Sequence, residues 1–172
     1  MSGSVFVGTS LDGFIARKDG SFDFLPDDPE PHGFEEFLAS VDALVMGRNT
    51  YETVARFDEW PYGDTRVVVL SSRPVDLSRA KGRVEQMGGE PAEVVAKLEA
   101  SGARHLYVDG GITVQRFLRA GLIQRLIVTR VPVLIGDGIP LFGALPRDLR
   151  LKHVATRSYP SGLVQSEYEV LP

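Results

Sequence analysis

The 172-residue chain has no cysteine. Disulfides, thiolate nucleophiles and cysteine-ligated metals are therefore excluded. Histidine is scarce: His32, His105 and His153 fall in different segments without metal-ligand spacing, so no metal site is expected. Basic residues do not dominate. A total of 19 Lys and Arg against 23 Asp and Glu leaves a net charge of -4, and the isoelectric point is about 5.4. A nucleic-acid partner is not expected, because such proteins present a basic face. A few arginines and helix N-termini still suffice for a small anion. No run approaches the roughly 20 apolar residues of a membrane span. The opening "MSGSVFVGTS" carries no basic leader and no long apolar core. A cytoplasmic protein without a membrane partner is expected, folded as a single domain over 1–172.

What is present is alternation. Strand-like runs are "SVFVGTS", "DALVMG", "TRVVVL", "GRVEQM", "HLYVD" and a long "IQRLIVTRVPVLI". Helix-like segments are "HGFEEFLASV", "RNTYETVARF", "EPAEVVAKLEASG" and "TVQRFLRAG". "ARKDGSFDFLPDDPEP" is a loop punctuated by Asp19-Gly20 and three prolines. "LRLKHVATRSYPSGLVQSEYEVL" reads as two strands about a "YPSG" turn. The pattern predicts an α/β fold: a mostly parallel central sheet with an antiparallel C-terminal edge hairpin.

Three strand ends carry phosphate-compatible chemistry. In "VMGRNTYET" a strand ends at Gly47 and a helix begins at once, with Arg48 as a fixed charge and Thr50 as a cap or phosphate ligand. In "VVLSSRP" Ser71, Ser72 and Arg73 stand beyond the carboxyl end of a strand, where ligands of parallel sheets bind. In "LYVDGGITVQRFL" two adjacent glycines separate strand from helix, and bare backbone there can approach a pyrophosphate closely. Taken singly, each also suits an ordinary turn or capped helix. Together they match the three phosphates of NADPH.

These three segments resemble the successive NADPH-binding segments of the dihydrofolate reductase fold. "SLDGFIA" and "PVLIGDGIPLF" resemble one branch of it: the reductase domain of the bifunctional deaminase-reductase of riboflavin synthesis, with its stand-alone relatives. The resemblance spans Ser10 to Phe142 and implies a dihydrofolate reductase-like three-layer α-β-α fold. It further implies that Gly47, Arg48 and Thr50 meet cofactor phosphates. Ser71, Ser72 and Arg73 would surround the adenosine ribose and its 2′-phosphate, and Gly110, Gly111, Ile112 and Thr113 the pyrophosphate. Gly8, Ile15 and Ala16 would line the nicotinamide, and Gly136 and Gly138 would lie near the substrate. A homodimer through the late strands is implied as well. Two positions depart from the riboflavin reductase pattern, Phe6 for a lysine and Phe14 for a basic residue, and both basic groups would help hold a phosphorylated substrate. Without cysteine there is also no attached zinc deaminase.

Hydride transfer to a C=N or C=O bond requires a proton donor. Asp12, Asp28 and Glu35 are the candidates. Phe14, Phe24 and Trp60 are candidate walls for a flat heterocyclic substrate, pterin-like or aminopyrimidine-like. Two rival readings remain open: an NADPH-binding module without physiological turnover, and a flavin-nucleotide binder.

Overall fold

The computed structural model describes residues 1–26 and 32–172. The strands are β1 (Ser2–Ser10), β2 (Phe14–Ala16), β3 (Ala43–Gly47), β4 (Arg66–Leu70), β5 (Val84–Met87), β6 (His105–Asp109), β7 (Arg125–Val131), β8 (Ile139–Pro140), β9 (Leu151–Ser158) and β10 (Val164–Val170). The helices are α1 (Phe34–Ala39), α2 (Arg48–Val54), α3 (Pro91–Ala100) and α4 (Gly111–Arg119). Eight strands form one sheet in the order β5-β4-β3-β6-β1-β7-β10-β9. The pairs from β5 to β7 are parallel. β10 is antiparallel to both β7 and β9, which makes the hairpin the sheet's edge.

Burial on both faces explains the uninterrupted apolar strands. Val67, Val68 and Val69 of β4 are all fully buried, yet successive residues of a strand face opposite sides. Val45, Val68 and Val108 pack with Val94 and Leu98 of α3 and with Val114 and Phe117 of α4. Leu44, Met46, Val67, Val69 and Tyr107 pack with Phe37 of α1 and with Tyr51 and Val54 of α2. Two cores thus sandwich the sheet between helical layers, and each fully buried valine contributes about 1.5–3 kcal/mol. In α3, Pro91 sits in the first turn behind a reciprocal capping box between Glu90 and Glu93.

Two elements were missed by pattern reading. β2 and β8 are only 3 and 2 residues long, too short to show a period. They pair antiparallel as a small flap. The expected long strand "IQRLIVTRVPVLI" instead ends at Val131. Pro132 follows, and proline has no N–H to continue the ladder. The apolar residues beyond it do not extend the strand, and Leu134 is 68% exposed.

Candidate functional site

The site begins with a reversal in the sheet. β3 and β6 are neighbouring parallel strands. The helix after β3 packs on one face and the helix after β6 on the other. Such divergence opens a crevice beyond the carboxyl ends of the strands, the usual ligand position in open α/β sheets. A cavity of about 1050 Å³ lies there, beyond the roughly 300–1,000 Å³ typical of a pocket for one drug-sized ligand. It extends past Gly47, the end of β4, Asp109 and Gly8 to the flap residues Ile15, Ala16 and Ile139.

One half of the cavity is polar and glycine-rich. Gly110 caps α4 at φ 96°, a conformation suited to glycine. A Cβ on it would lie 2.8 Å from Thr50 Oγ1, and one on Gly47 would lie 3.0 Å from Thr113 Oγ1. Gly111 has no such backbone requirement, but a Cβ there would meet Ile139 Cγ2 at 2.8 Å and the Pro140 carbonyl at 3.1 Å. The two helix starts therefore approach each other closely only because these positions lack side chains. The first turn of α4 brings N–H groups that have no intrahelical partner. At the end of β4, Ser71 Oγ donates to the Arg73 carbonyl at 2.8 Å and accepts the Arg73 N–H at 3.2 Å. The Arg73 side chain makes no ion pair or hydrogen bond among the described residues and is exposed at the cavity rim. Arg48 is 3.6 Å from Glu52, and Arg116 is 3.4 Å from Glu90.

This donor set fits a dinucleotide. Every residue assigned above to the cofactor lines the one cavity: Gly8, Ile15, Ala16, Gly47, Arg48, Thr50, Ser71, Ser72, Arg73, Gly110, Gly111, Ile112 and Thr113. Bare backbone, hydroxyls and guanidinium groups from three strand ends converge, as phosphate recognition requires.

The other half is aromatic. Phe6, Phe22, Leu25, Phe34, Phe57, Tyr62 and Tyr107 line it. Phe6 stacks on Phe37 with centroids 5.0 Å apart, and Phe34 tilts against Phe6 at 5.5 Å. Tyr107 donates its hydroxyl to the Phe6 carbonyl at 3.1 Å. Among these rings stands one carboxyl group, that of Asp109. One of its oxygens accepts the Gly110 N–H at 2.9 Å; the other accepts no hydrogen bond among the described residues. Burial pushes its pKa up to about 6, against the opposing pull of the Gly110 N–H. The Tyr62 phenol is held well above its ordinary range, first by burial and then by the nearby Asp109 charge.

Two of the three sequence-based proton donors, Asp12 and Glu35, lie outside the cavity. Asp12 accepts the N–H groups of Ile135 at 3.2 Å and Gly136 at 2.8 Å. Its pKa is lowered, by a hydrogen bond from Ser10 first and by those backbone donors next. It is a clasp between two loops and does not line the cavity. Glu35 is exposed in the first turn of α1, also away from the cavity. Asp28 lies outside the described residues. Nor do the expected substrate walls line the cavity. Phe14 belongs to the flap strand β2, and Phe24 lies under the Arg17 guanidinium at 5.7 Å. Trp60 sits edge-on against Tyr62 at 5.3 Å, behind the wall. Gly136 and Gly138 shape the turn between β7 and β8, with the Gly138 N–H bound to Asp137 at 2.8 Å. Asp109, which lines the cavity, was not among the residues singled out in the sequence. Its signal was its place: a carboxylate at the last position of a central strand, directly before the two glycines.

Comparison with known proteins agrees with this architecture. The model of the RibD C-terminal domain matches residues 3–165. The uncharacterised protein YwjB of Bacillus subtilis is 30% identical over 159 residues, covering 90% of each chain. Dihydrofolate reductase HdrB of Haloferax volcanii is 31% identical over 125 residues, 69% of this chain and 62% of that one. The crystal structure of a candidate riboflavin biosynthesis protein from Shewanella sp. PV-4 superposes with a TM-score of 0.91, at 37% identity and full coverage of both chains.

Proposed function

We propose, from the premise that this chain belongs to the RibD C-terminal domain family, that it is an NADPH-dependent reductase of a flat heterocycle, pterin-like or aminopyrimidine-like. One observation carries the reading: the polar, glycine-cradled half and the aromatic half are two ends of a single cavity. A cofactor in the first would meet a ring in the second. The name of the Haloferax volcanii relative, a dihydrofolate reductase, supports the chemistry.

When bound, NADPH supplies a hydride. The residues of this chain do the rest. Arg73 with Ser72 holds the 2′-phosphate, the α4 start with Thr50 and Thr113 holds the pyrophosphate, and Gly8, Ile15 and Ala16 frame the nicotinamide. Phe6, Phe34 and Tyr107 orient the substrate ring, which contributes to rate by proximity. Asp109, raised toward neutrality by burial, binds an N–H edge of the ring when ionised and delivers a proton to the reduced nitrogen or oxygen when protonated. We further propose a cytosolic homodimer joined through the β9–β10 hairpin. β9 is exposed along its whole length, with Leu151 at 42% and Val154 at 44%, and the unpaired backbone of an edge strand invites pairing.

The test is NADPH oxidation with a panel of pterins, aminouracils and quinones, alongside direct NADPH titration. Saturable binding and turnover of at least one ring are expected. Binding without turnover across the panel would leave only a nucleotide-binding module. Light scattering is expected to give twice the 18.8 kDa chain mass.

A further inference from the structure

We propose that the substrate carries no phosphate. This inference rests on the reductase reading and narrows it to one substrate class: a flat ring, neutral or cationic, with at most an uncharged substituent. A phosphate needs charge-assisted donors, usually arginine, lysine or a helix N-terminus. Among the described residues the aromatic half has no arginine or lysine, and the one helix that starts there, α1 at Phe34, is only 6 residues long.

The cavity's cations all lie at its other end. Arg48 opens α2, Arg73 follows β4, and Arg116 projects from α4 beside Glu90. Arg56, next to Phe57, does not line the cavity, and three other basic side chains near the aromatic wall are engaged elsewhere. Arg17 binds Asp23 at 2.6 Å and Lys18 binds Asp137 at 2.5 Å. Lys81 reaches the carbonyls of Phe57 and Asp58 at 2.6 and 2.9 Å. Arg125 and Arg157 line a separate cavity of about 300 Å³ on the far side of Phe6. The segment 27–31, outside the described residues, contains no lysine or arginine. What the aromatic half does contain is Asp109, whose negative charge repels a phosphate in a poorly solvated site.

Phe6 is the sharpest single feature. Its ring lies between the two cavities and is packed on Phe34 and Phe37. A cation at this position would face the substrate; the phenyl ring instead presents an apolar face, which also attracts a cationic ring.

The experiment is calorimetric titration of a ribosylaminopyrimidine and its 5′-phosphate ester into the protein, with and without saturating NADPH, at low and high salt. The unphosphorylated ring is expected to bind at least tenfold tighter at low salt. The gap should shrink at high salt, where charge repulsion is screened. Equal or tighter binding of the phosphate ester overturns the inference, as does a gap indifferent to salt. If NADPH binds and neither ring does, the substrate class falls while the cofactor reading stands. If NADPH fails to bind but the unphosphorylated ring is still preferred, the reductase reading falls and the phosphate-free pocket stands.

Discussion

The two halves of the cavity are built in opposite ways. The polar half comes from contiguous stretches, Gly47–Thr50, Ser71–Arg73 and Gly110–Thr113, each a strand end running into a turn or helix. The aromatic half comes from single residues on separate elements: Phe6 on β1, Phe34 on α1, Phe57 after α2, Tyr107 on β6. A phosphate site needs several backbone donors in a row, so it leaves a motif. A ring-binding wall needs only apolar faces that meet in space, so it leaves none. Asp109 belongs to both halves: its backbone leads into the glycine turn, and its carboxyl faces the rings.

The largest effect should follow from breaking that junction. Asp109→Asn removes the proton donor but keeps the shape and the bond from Gly110. Turnover should fall by about 10²–10⁴-fold, with NADPH affinity nearly unchanged. In the parent protein kcat/KM should decline as pH rises through about 6, where the carboxyl loses its proton. Stability provides an independent check. The folded protein holds this proton more tightly than the unfolded chain, whose carboxyl has the ordinary value of 3.8. The group's contribution to stability therefore falls as pH rises from about 4 to about 6 and stays low above that. The Asn variant should be more stable than the parent at pH 7, by on the order of 1–3 kcal/mol, and no more stable at pH 3. Denaturant titration at the two pH values measures this. A variant with full turnover would remove Asp109 from the chemistry.

Gly111→Val tests the polar half alone. The valine side chain would collide with Ile139 and the Pro140 carbonyl at the flap. It would also fill the space above the α4 start. NADPH affinity should drop at least tenfold, equivalent to about 1.4 kcal/mol, while circular dichroism shows a folded protein. Unchanged affinity would make the double glycine a packing device only.

Arg73→Ala is a finer cut within the same half. NADPH and NADH differ only by the 2′-phosphate, and a charge-assisted bond to it contributes about 1.5–3 kcal/mol. The parent should prefer NADPH by at least tenfold at low salt, and the variant should lose most of that preference with NADH affinity unchanged. Equal weakening of both cofactors would move Arg73 to the shared part of the molecule.

These contrasts also explain what could be read in advance. The parallel sheet was legible because "RVVVL" and "ALVMG" are buried on both faces and so have no polar alternation. The residues assigned to a cofactor could be picked out because strand-end chemistry is local in the chain. The aromatic lining of the cavity could not. Phe24 and Trp60 stand out in sequence as aromatic loop residues, yet they pack outside or behind the cavity, while the rings that do line it lie in segments that read as ordinary core. Asp109 was hidden by its neighbours: two glycines draw attention to backbone, and the burial that raises its pKa is a property of the folded pocket.

The smallest effect separates two carboxylates. Asp12 and Asp109 both end at a glycine turn, but Asp12 is exposed and spends both oxygens on backbone N–H groups of Ile135 and Gly136. Its pKa is lowered, so it carries no proton to donate near neutral pH. Its effect passes through the flap: the loop it ties down leads into Ile139, which packs against Gly111. Asp12→Asn keeps one good acceptor and loses the charge and one bond. NADPH KM should rise by about two- to fivefold, consistent with roughly 0.5–1 kcal/mol for a partly retained exposed hydrogen-bond pair. Saturated kcat should stay within about twofold, and its pH dependence should keep the parent's midpoint. Rapid-mixing kinetics across pH distinguish the outcomes. A large fall in kcat with a displaced midpoint would make Asp12 the proton donor and reduce Asp109 to a buried turn residue.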